Sequence, residues 1–208
     1  MKKLILCFAT LFSITISFQS FAYYPEDLNR LLTTNSCEEC NLIGAELQYA
    51  VLKGAILRSA LLSNADLQWA DMWACSFRKA VLNNADLSFA VLSHANFSDA
   101  VLKQAVLNQT QLDRTDFRGA FVENASLIRS SLTYSNLKGA SFGKSDLRWV
   151  DLSHANLTRT NFSGAMLQNS NLTGATLDTT YLNKTNLEGA IWIDGSICQK
   201  GSIGYCKQ

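Results

Sequence analysis

The sequence predicts an all-β solenoid, and three observations carry that prediction. Large apolar residues recur every five positions from Leu42 to Ile197 without slippage. A small residue lies two positions before each of them. The single proline, Pro25, stands outside the repeat, as a continuous backbone ladder requires.

The repeat is strict. Leu47, Leu52, Leu57, Leu62, Leu67, Met72 and Phe77 lead a series of 32 large positions, of which 23 are Leu. Of the 32 small positions 19 are Ala, and the others are Ser, Thr, Cys, Gly and one Val, Val150. Self-similarity of this kind outranks local propensity in deciding a fold. A helix turns 100° per residue, so a period of five drifts round its cylinder and buries no consistent face. In an extended segment, residues two apart share a side. Each small-x-large unit is therefore a very short strand with two inward side chains, and the other two residues turn a corner. Repeating the bend winds a solenoid whose coils stack about 4.8 Å apart.

At this point the chain resembles a known family. Ala-Asp-Leu (65–67 and 85–87), Ala-Asn-Phe (95–97), Ala-Asn-Leu (155–157) and Gly-Ala-x-Leu/Phe (54–57, 139–142, 174–177) look like pentapeptide repeats. The resemblance implies a right-handed, four-sided parallel β-helix with four repeats per coil, here about eight coils over residues 40–197. On that plan Leu47, Leu67, Leu87, Leu107, Leu127, Leu147, Leu167 and Leu187 form one inward column. Phe77, Phe97 and Phe117 stack in a second, and Phe142 on Phe162 in a third.

The segments outside the repeat read differently. Lys2 and Lys3, an apolar run from Leu4 to Phe18, and Ser20-Phe21-Ala22 make residues 1–22 an export signal cut after Ala22. The run is shorter than the roughly 18–20 residues that span a bilayer, so no stable membrane insertion is expected after cleavage. The destination is periplasmic or secreted. Residues 23–39 are expected to cap the first coil with a short helix, because Leu28, Leu31 and Leu32 follow Pro25 at helical spacing. Residues 198–208 form a glycine-bearing C-terminal tail.

An oxidising compartment favours disulfides. Cys37 with Cys40 and Cys198 with Cys206 are the local pairs, the first placed to pin the helical cap to the first coil. Such flanks also resemble those of exported family members. Cys75 is left over in an inward small slot, where it reads as a buried apolar residue. The two pairs stand at opposite ends of a rod about 38 Å long, which excludes a shared four-thiolate metal site.

Little else points to chemistry. The 18 basic and 17 acidic residues lose Lys2 and Lys3 on cleavage, leaving 16 against 17 and a net charge of −1. That balance argues against nucleic acid as a partner. His94 and His154 lie three coils apart, about 14 Å, too far to share a metal or proton. Glu46, Asp66, Asp86 and Asp146 line one edge and read as solvated charges. No catalytic residue, metal ligand or cofactor is expected, and the chain reads as a non-enzyme.

Binding surfaces are the remaining candidates. Tyr49, Trp69 and Phe89 repeat at coil spacing on an outward column, with Trp149 further along. Across one corner Leu61, Val81, Val101 and Phe121 form an apolar strip. A basic column of Arg58, Arg78, Arg118 and Lys138, with Lys79 and Arg159 beside it, could face an anionic partner. These features lead to a scaffold that presents flat faces to a protein partner. The alternative is glycan or envelope-polymer binding along the aromatic column, and self-association through the apolar strip is a further option. Some members of the family mimic DNA and protect topoisomerases; the near-neutral charge, basic column and export signal make that the less favoured function here.

Overall fold

The computed structural model describes residues 22–208, so the expected export signal, apart from Ala22, lies outside the described residues. One helix, α1 (Pro25–Thr34), precedes a long series of one-residue parallel bridges. Every parallel bridge joins residues twenty apart, from Ser36↔Ile56 to Asn171↔Ile191. Four pentapeptides therefore close one coil, and the solenoid has four sides. In chain order the first side carries Leu42 and Leu62, the second Leu47 and Leu67, the third Leu52 and Met72, the fourth Leu57 and Phe77.

The ladder uses each repeat in the same way. The central residue donates its N–H to the next coil, as Leu62 does to Val81 O at 2.7 Å, while the residue before it donates backwards, as Leu61 does to Cys40 O at 2.9 Å. A turn closes each corner, for instance Ala65 N–H to Leu62 O at 3.1 Å, with the residue before the alanine in the left-handed region, Asn64 at φ 58°. A positive φ at the third turn residue is what a type II turn demands.

Both inward positions are buried throughout the middle coils, and the Leu47-to-Leu187 column is unbroken. Phe77, Phe97 and Phe117 stack on the fourth side at 4.8 Å, and Phe142 and Phe162 on the first at 5.5 Å. Hydroxyls in small slots find backbone partners, as burial requires. Thr110 Oγ1 donates to Leu87 O at 3.0 Å and Ser145 Oγ to Val122 O at 2.6 Å, each reaching the coil below.

The two ends depart from the sequence expectation. Cys37 is itself a central inward residue, and Cys40 fills the small slot before Leu42, so the first coil opens at Ser36 rather than residue 40. Their disulfide lies in the floor of the core and links two positions of one repeat, not the helix to the coil. The Cys37 sulfur, which carries no proton, packs 3.1 Å from Asp27 O. Helix α1 is held by other contacts: buried Leu31, Asp27 Oδ2 accepting Asn41 N–H at 2.8 Å, and Tyr24 N–H on Asn41 O at 3.1 Å.

At the far end Ile197 keeps the five-residue spacing but is 65% exposed and bridges Ile191 in an antiparallel sense. Parallel stacking stops at Ile191, and the chain turns at Asp194-Gly195 to fold back over the last coil. Ser202 O and Cys198 O then accept the ladder N–H groups of Leu187 and Gly189, each at 2.8 Å, and the Cys198–Cys206 disulfide fastens the returning segment.

Candidate interaction surface

The Tyr49, Trp69 and Phe89 column lies on the corner between the second and third sides. Tyr49 is 72% and Trp69 50% exposed, and Phe89 is half-buried. Their rings stack on one another: Tyr49 and Trp69 are 6.4 Å apart at 8°, Trp69 and Phe89 4.2 Å apart at 4°. All three backbones are left-handed, with φ of 60°, 60° and 62°. An L-residue there costs about 1–2 kcal/mol, and an aromatic stack returns about 0.5–1.5 kcal/mol per pair. Three such corners cost about 3–6 kcal/mol and two stacks return about 1–3 kcal/mol, so stacking recovers only part of the strain and stability gives no reason to prefer these rings to the Gly or Asn found at neighbouring corners.

The column borders a larger patch that single-column reading missed. On the third side Val51, Asp71 and Val91 bridge in succession. Val51 is 76% exposed, and Trp73, one residue past the inward Met72, is 47% exposed. Lys53 and Asp71 pair at 3.1 Å within this surface. Its far edge is closed by Trp73 packing on His94 at 5.5 Å. The first three coils of the third side thus carry an apolar field with aromatic borders, formed by Tyr49, Val51, Trp69, Trp73, Phe89 and Val91. The signal was present in the sequence, in residues two and four beyond the aromatic corner. It emerges only when adjacent columns are read together as one side.

Leu61, Val81, Val101 and Phe121 do form a bridged strip, but on the first side. The whole second side separates them from the aromatic corner, so the two features are not neighbours. The basic column occupies the fourth side. Arg58 pairs with Glu38 at 3.6 Å and Arg118 grips Asp116 at 2.6 Å, while Arg78 and Lys138 have no ion pair among the described residues. Burial disfavours the Asp116 carboxylate, but the Arg118 hydrogen bonds and charge outweigh it and hold the pKa below the usual carboxylate range. A 410 Å³ recess lies between Arg78 and Arg118 over Ser98, with Asp99 on its wall.

The edge carboxylates do more than face solvent. Asp66, Asp86 and Asp146 each accept, through Oδ1, the backbone N–H two residues on, at 3.1, 2.9 and 3.2 Å. Asn96 and Asn156 do the same at 2.8 and 3.1 Å. The Asp/Asn preference before the central residue is thus a local cap on the side, an Asx turn repeated along the rod. His94 and His154 both lie on the corner between the third and fourth sides, and His154 stacks on Tyr134 at 4.8 Å. The ring of His154 covers Gly174, where a Cβ would come within 2.5 Å of Nδ1. Among the described residues, the one grouping of three His, Cys or carboxylate ligand atoms within 4.8 Å is Asp27, Cys37 and Cys40, and the disulfide engages both sulfurs.

This twenty-residue register matches a known family over most of the repeat region. Pentapeptide repeats, in eight copies, match residues 36–73, 74–109, 110–148 and 145–183. The chain belongs to the pentapeptide-repeat family. Its members fold as right-handed, four-sided β-helices. Solved structures of the same family are similar to this chain. QnrB1, a plasmid-mediated fluoroquinolone resistance protein, is 18% identical with a TM-score of 0.54, over 83% of this chain and 86% of its own. HetL, involved in heterocyst differentiation regulation in the cyanobacterium Nostoc, is 25% identical with a TM-score of 0.34, over 78% and 91%. Rfr23 from the cyanobacterium Cyanothece is 26% identical with a TM-score of 0.25, over 80% and 97%. No curated protein matches the chain.

Proposed function

We propose that this pentapeptide-repeat protein is a non-enzymatic, exported scaffold whose third side binds a protein partner. The observation that carries the reading is the field of exposed Tyr49, Val51, Trp69 and Trp73, continued onto the third coil by half-buried Phe89 and Val91. Contiguous exposed apolar surface with aromatic anchors is the composition of an interaction site. The Lys53–Asp71 pair inside it supplies directional contacts that a purely apolar patch lacks.

Export is supported by the N-terminal signal together with two disulfides, which persist in oxidising compartments. A non-catalytic role is supported by the state of the reactive side chains. Cys75 is buried, the four other cysteines of residues 22–208 are oxidised, and the two histidines stand three coils apart. Protein rather than glycan is preferred on the aromatic column because the rings turn their faces to one another, which leaves mainly edges for a sugar. The net charge of the mature chain, the basic fourth side and the export signal weigh against DNA mimicry.

The test uses the mature protein as bait in a cell-envelope extract beside a variant with Tyr49, Trp69 and Phe89 changed to Asn. Asn already holds equivalent corners at Asn64 and Asn84, so the variant keeps the backbone. A partner retained by the native surface and lost by the variant is the expected result. Identical captures would assign these rings a structural role only.

A further inference from the structure

Three outward recesses show different linings. The one between Arg78 and Arg118 includes Asp99, and the one beside Lys144 includes Glu123, so each brings its own carboxylate. A third, of about 250 Å³, lies further along the second side and its corner. It is lined by Asn108, Gln109, Ile128, Arg129, Arg148 and Trp149; the Asp146 carboxylate stands outside this wall and pairs with Arg148 at 2.6 Å, which leaves Arg129 as the wall's unpaired cation among the described residues.

Its groups are arranged as donors. Asn108 Oδ1 is taken by Ser126 Oγ at 2.7 Å and Ile128 N–H at 2.9 Å, which leaves the amide nitrogen to donate. Arg148 is held as a fork by Asp146, Nε at 2.9 Å and Nη2 at 2.6 Å, so its remaining N–H groups are pre-oriented. Arg129 has no ion pair among the described residues. Trp149 is 56% exposed and, unlike Trp69, has no ring stacked on it among the described residues. Gln109, Arg129 and Trp149 are successive left-handed corner residues, at φ 55°, 59° and 63°. Bulky side chains are therefore placed side by side at positions where Asn and Gly relieve strain elsewhere.

We propose that this recess binds an acidic saccharide, one sugar ring carrying a carboxylate. Trp149 offers an apolar surface to the C–H face of a pyranose, Arg129 and the Arg148 N–H groups that Asp146 leaves free take the carboxylate, and the amides of Asn108 and Gln109 meet hydroxyls. Bidentate arginine–carboxylate contacts are among the stronger polar contacts at a protein surface. The volume falls below the roughly 300–1,000 Å³ of sites that enclose a drug-sized ligand, which suits one ring of a longer chain. The glycan expectation thus moves from the stacked Tyr49, Trp69 and Phe89 column to Trp149, and stands independently of the protein-binding third side.

Calorimetric titration of the mature protein with tri-galacturonic acid tests the site, with maltotriose and inorganic phosphate titrated in parallel. Trp149→Asn and Arg129→Gln are the variants, since Asn169 and Gln109 already occupy the same corner column. The expected result is binding of the acidic trisaccharide at least about tenfold tighter than either control, weakened about tenfold by each substitution. Four results overturn the proposal. These are no heat with tri-galacturonic acid at millimolar concentration, equal affinity for maltotriose, equal affinity for phosphate, or unchanged binding by folded Trp149→Asn protein.

Discussion

Cys75 occupies a slot that alanine fills in most repeats, and its thiol donates to Leu52 O at 2.8 Å. Burial pushes its pKa up from 9.0 to about 12; backbone hydrogen bonds from Ala55 and Gly54 oppose the shift, and the charge of Asp71 adds to it. The folded state therefore keeps the thiol protonated over a range in which the unfolded chain ionises it. Its contribution to stability is complete below pH 9 and is lost as pH rises from about 9 toward 12. Denaturant melts across that range are expected to show a steeper alkaline loss for the native protein than for Cys75→Ala. Parallel curves would mean that the thiol is not held protonated. The slot itself was legible from spacing, because Cys75 falls in register with Ala55 and Ala95. The thiol's hydrogen bond was not, since it depends on a carbonyl 23 residues earlier. Asp66, Asp86 and Asp146 teach the same lesson, because a solvated edge charge and an Asx cap share one sequence pattern.

At the scale of elements, the strict period specified which two residues of every five point inward, while the four sides and the twenty-residue coil were implied by the family resemblance and are seen in the bridging. The ends were harder to read for a physical reason. Periodicity reports which residues could point inward, not whether a further coil is present to stack on them. Ile197 fits the spacing after the chain has already turned back, whereas Cys37 departs from the Leu pattern yet belongs to the first coil. Helix α1 was legible from proline and leucine spacing, and its buried Leu31 carries much of the docking. Leu31→Ala is expected to cost about 2–5 kcal/mol, the usual range for truncating a buried leucine. Hydrogen exchange should show the loss first at Asn41, Cys37 and the rest of the opening coil. Exchange that rises equally along the whole rod would mean that α1 does not act as an end cap.

For the whole molecule, repeated sides form a stiff rod on which outward residues are nearly free to vary, so function is written in columns. The sequence made single columns visible: the aromatic corner, the apolar strip and the basic side. It did not show that Val51, Trp73 and Val91 join the corner in one field, because that requires adjacent columns to be laid side by side. The most direct test of the account is photo-crosslinking in intact cells, with a benzophenone side chain at Trp73 or, as a control on the fourth side, at Thr158. The account predicts a discrete adduct from position 73 that is absent from position 158. No adduct from position 73, or the same adducts from both, would contradict a binding surface on the third side.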